Sequence, residues 1–120
     1  MVKTFKELIV WQEAMNLVEM IYLQTKTFPR EEIYGLTSQI RRAAVSIAAN
    51  IAEGNGRQSR KEYLQFLSIA NGSMKELETH ILIAERLNLL AKEKSEELQS
   101  QMQSVGKLLS ALRKSLLPNP

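Results

Sequence analysis

Apolar residues recur along this chain at alternating spacings of three and four, the period of a helix that buries one stripe. Four such segments follow one another. In the first, Leu8, Trp11, Met15, Val18, Tyr22 and Thr25 form the predicted seam of a helix running to about Lys26. Its start has two readings. Thr4-Phe5-Lys6-Glu7 has the form of a capping box, while Leu8-Ile9-Val10 also reads as an extended lead-in to a helix that begins near Trp11. Phe28-Pro29 ends the segment, because proline disfavours helical backbone in the residue before it. The second segment begins near Leu36–Ser38, after Gly35, and ends at Glu53, with Ile40, Ala44, Ile47 and Ile51 as its apolar stripe. Ala43, Ala44, Ala48, Ala49 and Ala52 give it a small-residue surface that lets a neighbouring helix come close. Gly54 is the expected left-handed cap, and Gly56 extends the turn.

The third segment opens with Ser59-Arg60-Lys61-Glu62, a serine followed three residues later by glutamate, the capping-box pattern. Tyr63, Phe66, Ala70, Met74, Leu77, Ile81 and Ala84 carry the seam toward Leu90, which makes this the longest helix, roughly 45 Å at 1.5 Å per residue. Gly72 lies in its middle and costs up to ~1 kcal/mol against alanine, which predicts a close helix crossing there. The fourth segment runs from about Lys94 to Leu117, with Leu98, Met102, Val105, Leu109, Leu112 and Leu116 repeating without a break until Pro118 stops it. Short connections between long helices make neighbours antiparallel. The expectation is therefore an all-α, up-down-up-down four-helix bundle, one domain over residues 1–120, with no strand, repeat or low-complexity segment.

Composition narrows the chemistry. The chain has 120 residues and no cysteine, and all thirteen of its acids are glutamates. Thiolate metal sites, disulfides and cysteine nucleophiles are excluded. The start, Met1-Val2-Lys3-Thr4, carries no apolar signal core, and no apolar run is long enough to span a membrane, so a soluble cytoplasmic protein without a membrane partner is expected. His80 is the only histidine and sits one residue before the seam position Ile81, where a boundary residue is the plainer reading than a catalyst. Glu76, Glu78 and His80 lack the Glu-x-x-His spacing of di-iron bundles. Glu31-Glu32 and Glu96-Glu97 are sequence neighbours, which point apart on a helix. Gly54-Asn55-Gly56 lacks the Gly-Lys-Ser/Thr ending of a phosphate-binding loop. No catalytic residue, metal site or cofactor is expected.

The charge is unevenly placed. Between Leu36 and Lys61 the cations are Arg41, Arg42, Arg57, Arg60 and Lys61 and the one acid is Glu53, a net +4, while the rest of the chain holds eleven bases and twelve acids. Such a window is either a phosphate-attracting surface or a solvated helix face. Within it Arg42, Ser46, Asn50 and Glu53 fall on one face of the second helix. Two readings stay open. In one, Arg42 and Glu53 pair with neighbouring helices or subunits and Asn50 fixes the turn at Gly54. In the other, Arg42, with Arg41, contacts phosphate through its planar fork of donors.

These same residues carry a family resemblance. The run Tyr34-Gly35-Leu36-Thr37-Ser38-Gln39-Ile40-Arg41-Arg42-Ala43-Ala44-Val45-Ser46-Ile47-Ala48-Ala49-Asn50-Ile51-Ala52-Glu53-Gly54 resembles the signature of the four-helix bundle proteins encoded in intervening sequences of bacterial 23S ribosomal RNA genes. Val10-Trp11-Gln12-Glu13-Ala14, Glu62-Tyr63-Leu64-Gln65-Phe66-Leu67, Ala70-Asn71-Gly72-Ser73 and Glu76-Leu77-Glu78 agree with it, so the match covers nearly the whole chain. Ala48 departs from it, standing where many relatives carry proline, and continues the helix without strain. The accessory variability protein of diversity-generating retroelements, which partners a reverse transcriptase and contacts nucleic acid, shares the fold. The resemblance implies a homopentamer, five bundles in a ring around a channel, with a basic surface toward nucleic acid and no catalytic residues.

Two functions follow as expectations. One is a nucleic-acid-binding module for RNA or an RNA–DNA intermediate, using Arg41, Arg42, Arg57, Arg60 and Lys61 on phosphate with little sequence preference. The alternative is a scaffold or accessory subunit that docks an enzyme such as a reverse transcriptase.

Overall fold

The computed structural model describes residues 4–118; the opening Met1-Val2-Lys3, read above for its lack of an apolar core, lies outside them. A 3-10 turn over Phe5–Glu7 leads into α1 (Ile9–Thr25), and a second over Arg30–Glu32 leads into α2 (Leu36–Asn55); α3 (Arg60–Arg86) and α4 (Lys92–Leu116) complete the chain. No strand occurs among the described residues. Each helix packs on the next and α4 returns to α1, while the diagonal pairs stay apart. The registers are antiparallel throughout. Ser46 meets Ser73 and Gly54 meets Phe66 across α2 and α3, while Thr25 meets Arg41 across α1 and α2 and Glu13 meets Gln101 across α1 and α4. The result is a four-helix bundle measuring 46 × 23 × 21 Å.

Local chemistry sets the boundaries. The Thr4 hydroxyl accepts from the Lys6 N–H at 2.9 Å and caps the 3-10 turn. Neither reading of the start holds in full: Thr4 caps the 3-10 turn through Lys6 and not through Glu7, and only Leu8 is extended, so that α1 begins at Ile9. Phe5 packs edge-to-face on Trp11, with ring centroids 5.1 Å apart. At α3 the Ser59 hydroxyl accepts from the Glu62 N–H at 3.1 Å, as the capping pattern predicts. At its other end α3 stops at Arg86, four residues before the expected Leu90, because Asn88 takes a left-handed φ of 59°. Leu89 N–H then donates to Ala84 C=O and Asn88 N–H to Glu85 C=O, the paired bonds of a Schellman closure. Leu117 is extended before Pro118 and ends α4. With 27 residues α3 is the longest helix, as expected.

The core corrects three expectations. The α1 residues facing inward are Val10, Ala14, Leu17, Ile21 and Thr25. Only Thr25 of the predicted seam is buried; Leu8, Trp11 and Val18 flank the core, and Met15 and Tyr22 are 40% and 41% exposed. Both rows have helical spacing, and contact with α2 and α4 selects the second. Next, Gly54 is no cap. Helix α2 passes through it to Asn55, no described glycine has a positive φ, and the Gly56 N–H closes the end on Ala52 and Glu53. Gly54 is buried at the α2–α3 crossing instead, where an added Cβ would lie 2.8 Å from Phe66 Cβ and 3.2 Å from the Tyr63 carbonyl. Finally, Gly72 faces open space, with nothing within 4 Å of an added Cβ. The close crossing expected at Gly72 is made at Gly54.

The remaining stripes hold over most of their length. Ile40, Ala44, Ile47 and Ile51 of α2, Ala70, Met74, Leu77, Ile81 and Ala84 of α3, and Leu98, Met102, Val105 and Leu109 of α4 are buried, joined by Leu67, while the expected seam residues nearest the α2–α3 turn, Tyr63, Phe66, Leu112 and Leu116, are only half-buried. Each large aliphatic in the buried set contributes about 1.5–3 kcal/mol by leaving water.

Candidate nucleic-acid interface

The antiparallel order puts the α2–α3 turn, the start of α1 and the end of α4 at one pole of the bundle. The five cations expected to act together do not all lie there. Arg41 and Arg42 sit near the opposite end of α2, about 22 Å along the helix axis from Arg57 at 1.5 Å per residue. Arg41 is held: its Nε–H donates to Thr25 Oγ1 at 2.9 Å, and its guanidinium lies 4.6 Å over the Tyr22 ring. Thr25 in turn donates to Ile21 C=O at 2.8 Å, so this arginine ties α2 to α1. Arg42 is exposed and makes no hydrogen bond or ion pair with a described residue. It lines an open polar groove of about 370 Å³ with Gln39, Ala43, Ser46 and Glu76.

The polar stripe on α2 divides in the same way. Asn50 Nδ2 donates back to Ser46 C=O at 2.8 Å and to Ser46 Oγ at 3.0 Å, and Ser46 Oγ meets Ser73 Oγ at 2.8 Å on α3. Asn50 therefore braces the helix–helix contact and not the turn at Gly54. Glu53 accepts from Arg57 Nη2 at 2.7 Å, and Arg42 stands apart from both. The Arg57 guanidinium also covers the Phe66 ring at 4.7 Å. Arg60 and Lys61 project from the first turn of α3, exposed and without a carboxylate partner.

The structure adds members at this pole. Lys6 from the lead-in to α1 and Arg113 and Lys114 from the last turn of α4 join Arg57, Arg60 and Lys61, six cations against Glu7, Glu53 and Glu62. Of the six, only Arg57 has a carboxylate within 4 Å among the described residues. The other half differs in its balance: Lys26, Arg30, Arg41, Arg42, Lys75, Arg86, Lys92 and Lys94 stand against Glu19, Glu31, Glu32, Glu76, Glu78, Glu85, Glu93, Glu96 and Glu97, although only Lys75 and Lys94 of these cations lie within 4 Å of a carboxylate among the described residues. Arg113 and Lys114 could be read in the sequence only as cations in a final helical turn, where the helix dipole favours them whatever the function. Their convergence with α3 needs the tertiary fold.

Little at these positions suggests other chemistry. His80 is 14% exposed, with Glu76 Oε2 3.9 Å from Nε2, and lies on the α2 side of α3. Among the described residues no three histidine or glutamate side chains converge on a metal-sized site. No helix among them is long and apolar enough to cross a membrane.

A comparison with protein families settles the ancestry. The family described as 23S rRNA-intervening sequence protein matches residues 6–111, most of the chain. The chain belongs to that family. Its fold agrees with a crystal structure at 1.70 Å of a protein of unknown function from the S23 ribosomal protein family of Bacteroides thetaiotaomicron VPI-5482. The two superpose with a TM-score of 0.79 and 25% sequence identity, over 88% of this chain and 99% of that one. No curated protein matches the chain. As in the family signature quoted above, the motif from Tyr34 to Gly54 builds α2 and its lead-in. In this member the motif's work is packing: Ala44 and Ile47 in the core, Ser46 on Ser73, and Gly54 under Phe66.

Proposed function

We propose that this protein is a non-catalytic, cytoplasmic module that binds the phosphate backbone of nucleic acid, RNA or an RNA–DNA intermediate, through the basic pole of its bundle. The observation that supports this is charge imbalance: the pole of the α2–α3 turn gathers six cations against three glutamates, while cations and glutamates are nearly balanced in the other half. Family membership names no ligand, so the charge balance carries the weight. Arg57, Arg60 and Lys61 are the members from the original set that lie there. Arg42 is a separate, exposed cation, and Arg41 works as a tie between helices.

We propose also that the protein acts as a homo-oligomer, a pentamer by the family resemblance, which would repeat the pole around a ring. An open groove of about 250 Å³ between α1 and α2 supports self-association. It is lined by Trp11, Met15, Val18, Val45, Ala48 and Ala49, with no charged residue. The same face is what a scaffold for a partner enzyme would use.

The test is titration of labelled RNA and DNA at two salt concentrations. Wild-type affinity should fall steeply with salt, since each neutralised phosphate releases counterions. Replacing Arg57, Arg60 and Lys61 together by glutamine should weaken binding to all sequences alike, with the helical circular dichroism unchanged. Wild-type protein that ignores nucleic acid at low salt would leave the scaffold function in its place.

A further inference from the structure

The basic pole contains a groove that belongs to neither the α2–α3 turn nor the family motif. It lies between α3 and α4, has a volume of about 270 Å³, and is lined by Leu64, Ser110, Arg113, Lys114 and Leu117. On α4, Ser110, Arg113 and Lys114 stand at i, i+3 and i+4, one helix face, and Leu117 closes the row from the extended residue just past the helix end. On α3, Leu64 follows Arg60 by four residues, so the Arg60 side chain stands on the same flank one turn closer to the pole. No carboxylate lines the groove.

Three features point to an anionic occupant. First, Arg113 is only partly exposed, yet its guanidinium has no hydrogen bond, ion pair or ring contact with a described residue. Second, Lys114 in the groove and Arg60, one turn from Leu64, are likewise without partners among the described residues, so the cleft and its entrance hold uncompensated charge of one sign. Third, Arg60 and Lys61 occupy the first turn of α3, where the helix dipole is positive and disfavours cations. Helix stability does not account for that placement.

The geometry points to a single nucleic-acid strand as the occupant. We infer that the α3–α4 groove grips one sugar–phosphate backbone, with Arg60 on one wall and Arg113 and Lys114 on the other contacting phosphate. The Ser110 hydroxyl lies within the groove for a sugar or phosphate oxygen, and Leu64 and Leu117 present an apolar floor to the sugar face. The cleft runs about 10 Å along α4 at 1.5 Å per residue. With a volume of about 270 Å³ the cleft has room for one backbone at a time, whereas a duplex would present two. No aromatic residue lines the slot to stack a base, so recognition is of backbone and not sequence. This site rests on the nucleic-acid function proposed above and places it on residues of α4 that the earlier set lacks.

The experiment compares the full chain with three variants by fluorescence anisotropy, using a mixed-sequence single-stranded oligonucleotide and a hairpin duplex of the same composition. Arg113→Gln/Lys114→Gln should weaken single-strand binding at least about tenfold and flatten the salt dependence by about one unit for each lost phosphate contact. Ser110→Glu, which removes no packing at an exposed position and adds a carboxylate to the slot, should weaken it as well. Lys92→Gln/Lys94→Gln, the same charge change at the opposite pole, should stay within about twofold of wild type, because exposed charges beyond a Debye length of ~10 Å are largely screened. Circular dichroism on each variant checks the fold. Wild-type binding that survives both groove changes overturns this site and leaves the basic-pole function standing. A duplex bound more tightly than the single strand overturns the strand assignment. Wild type that binds neither probe overturns both proposals together.

Discussion

The two flanks of α2 use small residues in opposite ways. Toward α3 the contact is closed: Gly54 brings the backbones together under Phe66 and Tyr63, and Ser46, Asn50 and Ser73 hydrogen-bond one turn after another. Toward α1 the contact stays open, with Ala48 and Ala49 flooring a groove whose rims, Met15 and Val45, are 40% and 42% exposed. Small side chains thus permit close approach without producing it. Approach occurs where a glycine and a satisfied polar ladder meet a complementary helix, and elsewhere the same composition leaves a shallow apolar surface.

The largest expected effect is on the closed flank. Gly54→Ala places a methyl group against Phe66 Cβ and the Tyr63 carbonyl, neither of which is a flexible side-chain end. Overpacking of this kind costs about 1–3 kcal/mol, which denaturant unfolding would read as a lower midpoint. An unchanged midpoint would mean that the α2–α3 crossing can widen freely. Gly72→Ala is the matched control, at a position with open space. It should stabilise by about 0.5–1 kcal/mol through helix propensity alone. A smaller loss belongs to Ser73→Ala, which removes the 2.8 Å bond to Ser46. That bond is worth about 0.5–1.5 kcal/mol, partly offset by the better helix propensity of alanine, so a net loss of roughly 0.5 kcal/mol is expected. The open flank should respond least in stability and most in assembly. Val45→Glu should leave unfolding within about 0.5 kcal/mol of wild type, while reducing the light-scattering mass from a multiple of 13.7 kDa to that of one chain. Wild-type protein that is already monomeric at micromolar concentration would remove the ring, and with it the purpose assigned to the groove.

Much of the fold is legible without coordinates. The periodicity of Ile40 to Ile51, Ala70 to Ala84 and Leu98 to Leu109 marks the buried faces, Ser59 and Glu62 mark the start of α3, and Pro118 marks the end of α4. These are local or single-stripe signals, and each has one interpretation. The site was legible only in part. Arg57, Arg60 and Lys61 stand close in sequence and remain close at the pole, but Arg41 and Arg42, equally near in the charge window, are carried away by the 1.5 Å rise of the helix.

What the sequence determined by itself was the number of helices, the cap that opens α3, the proline that follows α4 and most of the inward faces of α2, α3 and α4, because helical period and capping depend on residues within a turn or two of one another. What only the tertiary structure decided was anything requiring a choice between equivalent local patterns. Helix α1 offers two apolar rows, Trp11-Met15-Val18-Tyr22 and Val10-Ala14-Leu17-Ile21, and packing against α2 and α4 buried the second. Gly54 and Gly72 are equally plausible crossing points until α3 is laid on α2. Arg113 and Lys114 line one groove with Leu64 of α3 although some fifty residues separate them in the chain. Periodicity says which residues share a face of one helix; which face meets which neighbour is a property of the whole bundle.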